Sequence, residues 1–178
     1  MKRAESQDRR EYLEGVMDVY QGEVYGEALF SGLAAASLAA DRRRKFEQLL
    51  QLESEAKVRL RPFLARLGLS VVEDEQSRAA GRELATELAA QPWEQLLRSF
   101  RADIDRFIER YRRLADGAPP EDQEPLRFMV RHEEALRGFL DQELAGQPES
   151  SLRGILPLLA HPLPAVATAE AVTRPGVG

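Results

Sequence analysis

The strongest constraint on this chain is the stretch from Ser6 to Ala40, which contains no proline and whose apolar residues recur at helical spacing. Tyr12, Val16, Val19 and Tyr20 form one stripe, and Phe30, Leu33 and Ala34 continue it. A stripe of that length requires one long helix with a buried face. The gap in the stripe is filled at the same phase by two carboxylates, Glu23 and Glu27. Gly15, Gly22, Gly26 and Gly32 stud this helix and leave room for a neighbour to approach. Acids in a buried stripe need a partner: a metal ion, a base or a shared proton.

The rest of the chain supplies the neighbours. Asp41 reads as the N-cap of a second helix, from Arg42 to about Leu67, that Pro62 should kink and Gly68 should end. Its stripe runs Phe46, Leu49, Leu50, Glu53, Ala56, Lys57, Leu60, Phe63, Leu64 and Leu67, so Glu53 stands where a core leucine belongs. A less regular link follows over 68–91, with a short amphipathic piece from about Gln76 to Ala90. Pro92 opens a third helix that runs to about Asp116 along Trp93, Leu97, Phe100, Ile104, Phe107, Ile108, Tyr111 and Leu114. A fourth runs from about Glu121 to Ala145 along Leu126, Met129, Val130, Glu133, Leu136, Leu140 and Leu144. Ser150 is placed to cap a short last helix within 147–160, and 161–178 reads as an extended, partly mobile tail. The class is therefore all-α. Tight links join the first helix to the second and the third to the fourth, while 68–91 is long enough to run the length of a bundle. This gives two antiparallel hairpins joined by one crossover within residues 1–146.

With that order of helices, three motifs resemble the ferritin-like superfamily, on its rubrerythrin side. They are Glu23 followed by Phe30 on the first helix, the Phe46–Ala56 segment with Glu53 on the second, and Met129-Val-Arg-His-Glu-Glu134 with His132 on the fourth. The resemblance covers roughly residues 8–145. It implies a four-helix bundle that binds metal between its helices, with a Glu from one helix of each hairpin and Glu-x-x-His from the other. The chain departs from that pattern twice. Ala56 stands at the first His and Met129 at the second Glu, and on the third helix only Asp103 offers a donor near the required height. A symmetric two-metal site cannot be built from this set. The surviving metal ligands are Glu23, Glu53 and His132, with Glu27, Asp103 and Glu133 as further candidates. The alternative without metal is a buried ion pair between Glu53 and Lys57, which are four residues apart in the favoured order.

Two functional classes follow. The first is a ferritin-like bundle whose metal site has degraded and which serves as a binding or structural module, without a cofactor. The second is an iron- or manganese-dependent oxidoreductase with an irregular carboxylate and His site. The missing Ala56 and Met129 ligands weigh toward the first. In either case the expected assembly is a homodimer, and the substrate or partner is open. Composition narrows the field further. With 30 acidic against 25 basic residues the net charge is -5, which opposes nucleic-acid binding. There is no cysteine, so thiolate metal sites, iron–sulfur clusters and cysteine nucleophiles are excluded. No phosphate-binding glycine loop is present, and two histidines leave little for a hydrolytic triad. The charged N-terminal residues and the absence of a long apolar run lead to the expectation of a cytoplasmic protein that does not enter a membrane.

Overall fold

The computed structural model describes residues 2–161, with side chains described from residue 7 onward. Five α-helices follow one another: α1 (Lys2–Ala36), α2 (Ala40–Arg66), α3 (Glu75–Ala89), α4 (Trp93–Asp116) and α5 (Gln123–Leu144). No strand occurs among the described residues. None of the described helices is long and apolar enough to cross a membrane. The tail expected over 161–178 lies, beyond His161, outside the described residues.

Contacts between helices fix their directions. Glycine 15 of α1 faces Leu114 of α4, and Phe30 meets Phe100 at 5.6 Å between ring centres, so α1 and α4 run antiparallel. Arg59 lies over the Phe128 ring and Lys45 binds Glu143 at 2.8 Å, so α2 and α5 are antiparallel too. The α2–α3 link and α3 travel alongside α1 in the same direction. The Gln21 side chain accepts from the Asp74 backbone N–H, and Gly32 abuts Ala85 further along. The link and α3 thus carry the chain from the end of α2 back to the start of α4. A Cβ at Gly81 would strike the Tyr25 carbonyl oxygen, so the close approach of α3 to α1 depends on that glycine.

Several helix ends differ from expectation. Asp41 is not the cap of α2. Ala39 occupies that position without a side-chain bond, and Asp41 sits in the first turn, 2.9 Å from Lys45. Pro62 lies inside α2, which continues to Arg66, as the stripe to about Leu67 required. Its termination is the expected one: Gly68 adopts φ 72°, the Gly68 N–H donates to the Ala65 carbonyl and the Leu69 N–H to the Leu64 carbonyl. Only glycine takes that left-handed step without strain. The last helix over 147–160 is instead two short 3₁₀ turns, Ser151–Gly154 and Leu156–Leu158. Two prolines and a glycine in this segment shorten the run available to an α-helix. The segment still packs, with Ile155 and Leu159 buried among residues of the bundle.

The interior divides into two apolar clusters. One holds Leu29, Phe30, Phe46, Leu49, Leu52, Ile104, Ile108, Leu136 and Phe139. The other holds Val19, Tyr20, Val24, Ala56, Leu60, Leu64, Tyr111, Leu126 and Met129. On α1 the change of cluster falls between Val24 and Leu29, on α2 between Leu52 and Ala56, on α4 between Ile108 and Tyr111, and on α5 between Met129 and Leu136. These four gaps lie at one level, and the buried polar residues Glu23, Glu53, His132 and Glu133 fill or border them. A polar layer separates the two halves of the core.

Candidate metal centre

Each side chain of that layer is aimed inward because its helix stripe is continuous through it. Glu23 follows Val16, Val19 and Tyr20 on α1, Glu53 stands between Leu49 and Ala56 on α2, and His132 lies between Met129 and Leu136 on α5. All three are buried, and His132 is fully so. One ligand atom from each lies within 4.8 Å of the others, the spacing expected of groups that share an ion. His132 stands in the middle. Its Nε2 is 3.1 Å from Glu53 Oε1 in a hydrogen bond. Its Nδ1 is 3.1 Å from Glu23 Oε2 in an ion-pair contact, and neither atom has another partner.

Two glycines make room for this arrangement. A Cβ at Gly26 would overlap the Glu53 carboxyl group, and one at Gly22 would stand 2.9 Å from the Tyr111 hydroxyl. The Gly22 to Gly26 spacing on α1 thus admits one polar group from α2 and one from α4. Tyr111 shares the site level as the contribution of α4. Its tyrosine character carried no signal in a stripe of core residues, and its hydroxyl was not foreseen as a member of the polar layer.

The electrostatics are those of too much negative charge in too little solvent. Burial raises Glu23 well above the ordinary carboxylate range. His132 opposes that shift, and Glu53 adds to it. Burial pulls His132 down, yet the Glu23 and Glu53 carboxylates outweigh it and hold the imidazole well above its usual value. Glu133, next along α5, is pushed by burial to about 7, against the pull of His132. Burial, then Glu133, Glu23 and Glu53, raises Tyr111 well above its ordinary range. The centre therefore attracts positive charge, whether as protons or as a cation.

The expected ion pair between Glu53 and Lys57 does not form. Lys57 is buried, as expected, but its Nζ binds Glu27 at 2.5 Å and Glu73 at 2.6 Å. The Lys57 side chain leaves the Glu53 side of the stripe for the outer edge of α1, where the link before α3 delivers Glu73. Glu27 is consequently part of this separate network, also accepting from Ser54 Oγ at 2.6 Å, and not of the centre. Asp103 is exposed and pairs with Arg106 at 3.4 Å. It borders a cavity between α1 and α4 without joining the ligand group. Glu133 borders the same cavity. A second buried lysine escaped notice in the sequence: Lys45 bridges Asp41 and Glu143.

The donor set suits a divalent transition metal. Two carboxylates and a neutral imidazole balance a dication, and oxygen and imidazole donors accommodate iron, manganese or zinc. Ala56 and Met129 are fully buried in the second apolar cluster. Comparison of the chain with protein families, with curated proteins and with solved structures returns no match.

Proposed function

We propose that this protein is a ferritin-like four-helix bundle, with α3 in the crossover, that binds one iron or manganese ion through Glu23, Glu53 and His132 and acts as an oxidoreductase. The observation that carries the reading is the convergence of three buried donors from three helices within 4.8 Å. Lys57, the cation that would have replaced a metal, is engaged elsewhere. Packing of Ala56 and Met129 into hydrocarbon favours one ion over two. A bound ion would supply Lewis acidity and redox chemistry. The chain's own residues have definite tasks. Glu23 and Glu53 neutralise the ion. His132 is held between them. Glu133, whose carboxyl pKa burial raises, lines the cavity wall beside His132. The two apolar clusters exclude bulk water from both sides.

A second reading is supported by the His132 Nε2 hydrogen bond to Glu53. In that case the layer is a proton-sharing polar core, and the bundle is a binding module without a cofactor. Elemental analysis after purification without chelator and addition of iron or manganese separates the two. The metal reading requires one ion per chain, lost in Glu53→Ala and in His132→Ala with the helical circular-dichroism signal retained. Absence of stoichiometric metal from the folded wild-type protein refutes it.

A further inference from the structure

A cleft of ≈ 290 Å³ lies at the end of the bundle where α1 passes into α2 and α3 into α4. The buried side chains Leu33, Phe46 and Leu96 line it, together with Trp93 and Arg42. The Arg42 guanidinium lies over the Trp93 ring, 4.7 Å from its centre, and Trp93 meets Phe46 edge-on at 5.6 Å. Among the described residues Arg42 makes no ion pair. Its neighbours in the first turns of α2 are committed: Arg43 donates to the Ser37 carbonyl, and Lys45 is held by Asp41 and Glu143. No carboxylate lines the cleft. The acids next to its lining residues in the chain, Asp41 and Glu94, bind Lys45 and Arg98. Two helices begin at this end and two finish, so the half-charges of their dipoles oppose one another and Arg42 sets the sign. Leu33 is about 15 Å along α1 from Glu23, so the cleft is separate from the candidate metal centre.

We propose that this cleft binds a small organic monocarboxylate, its head on Arg42 and its apolar body against Leu33, Phe46 and Leu96. Charge selects the head. Arg42 is the only charged side chain in the lining, so it neutralises one negative charge and leaves a second one unmet. Its N–H edge is a fork that matches the two oxygens of a carboxylate. Stacking on Trp93 occupies the flat face of the guanidinium and leaves that edge available. It also orders the side chain before a ligand arrives, which lowers the entropy lost on binding. Volume selects the body. A cavity of ~150 Å³ holds benzene, so in proportion this cleft holds about twelve heavy atoms, a carboxylate with a six- to nine-atom body. Apolar walls with one placed polar group are the arrangement that orients a ligand with a distinct head and body. A bare inorganic anion would leave the apolar surface in water.

The test titrates the full-length protein with 4-fluorobenzoate, 4-fluorobenzyl alcohol and 4-fluorobenzylamine, which share one body and differ in the head. Trp93 is the only tryptophan in the chain, so its emission reports the cleft, and fluorine NMR gives a second measure of Kd. The benzoate is expected to bind with Kd at or below about 1 mM, and the alcohol and amine at least about tenfold more weakly, the loss that follows removal of a charge-assisted bond. Arg42 is exposed, so its replacement spares the core. Arg42→Gln should bring the benzoate to the level of the alcohol and leave the alcohol unchanged. Arg98→Gln removes the same charge from an exposed pair with Glu94 and should leave all three probes unchanged. Inorganic phosphate at equal concentration should not displace the benzoate. Equal binding of the three probes, insensitivity of the benzoate to Arg42→Gln, or an equal loss in Arg98→Gln overturns the proposal. So does absence of binding to the folded wild-type protein up to ~10 mM. Displacement by phosphate overturns the monocarboxylate and makes the cleft an inorganic-anion site. None of these outcomes depends on metal at the candidate centre, so the metal reading stands or falls separately.

Discussion

Gly26→Ala places one methyl group against the candidate centre, and its consequence can be worked from coordinates. The new Cβ would stand 2.7 Å from Glu53 Cδ and 3.3 Å from Glu53 Cγ, where ordinary contact begins at 3.4 Å. The carboxyl carbon must retreat by roughly 0.7 Å, the difference between 3.4 and 2.7. Ligand distances in metal sites are held to within ~0.2 Å, so a displacement of this size removes Glu53 from a shared ion. Affinity for Mn²⁺ should fall by at least about tenfold, comparable to loss of a residue that orients a ligand. Folding is affected far less. Alanine in a helix interior is favoured over glycine by ~1 kcal/mol, which offsets part of the strain from the displaced carboxyl. Gly138→Ala calibrates that term. Gly138 also lies inside a helix, and a Cβ there meets nothing within 4 Å. It should stabilise the protein by about 0.5–1 kcal/mol and leave metal affinity unchanged. Urea unfolding and Mn²⁺ titration by electron paramagnetic resonance, applied to both variants, give the two readouts. A Gly26→Ala protein that binds Mn²⁺ as tightly as wild type would show that Glu53 is not a ligand.

Three other outcomes can be checked with similar means. In metal-free protein His132→Leu leaves Glu23 and Glu53 facing each other, and urea unfolding at neutral pH should show a loss of about 3–5 kcal/mol; a loss under ~1 kcal/mol would mean the acids are already neutral without the imidazole. Lys57→Met should cost about 2–3 kcal/mol, at the low end for a broken buried pair because Glu27 keeps Ser54 and Glu73 keeps Arg78; a change under ~0.5 kcal/mol in the same assay would show that the network does not stabilise the link. That network also sets an acid dependence. The Lys57 hydrogen bond, against some burial, lowers Glu73 below its ordinary 4.5, so its stabilisation is fully present above that value and is lost as pH falls through the folded-state pKa. Wild type should therefore lose stability below about pH 4.5 more steeply than Lys57→Met, and parallel stability–pH curves for the two proteins would contradict this assignment.

Much of the architecture was legible along the chain. Helical periodicity located all four long helices, since each buries a continuous face, and the short amphipathic piece in the link appears as α3. Glycine 68 was legible as a terminator because its conformation is dictated locally. Asp41 and Ser150 misled because a capping side chain is an option that neighbouring partners can outbid. Lys45 and Glu143 drew Asp41 and the α2 start into a different arrangement. The final segment failed for a related reason: its apolar residues are real core residues, but prolines deny them a regular helix.

The centre divides in the same way. Sequence alone placed Glu23 and Glu53 on buried stripes, because a charged residue at a core phase is visible in one dimension, whereas the burial of His132 was decided only by the tertiary structure. Which cation faces which acid was settled only by the tertiary structure. Lys57 is four residues from Glu53, yet its long stem reaches across the α1 edge to Glu27 and to a glutamate delivered by the crossover link. The chemistry of Gly22 through Phe30 was likewise half visible. Its acids could be read from the stripe, but the use of Gly22 and Gly26 could not. They are small because Tyr111 and Glu53, far apart in the chain, need the space, and a contact between distant helices has no local signature.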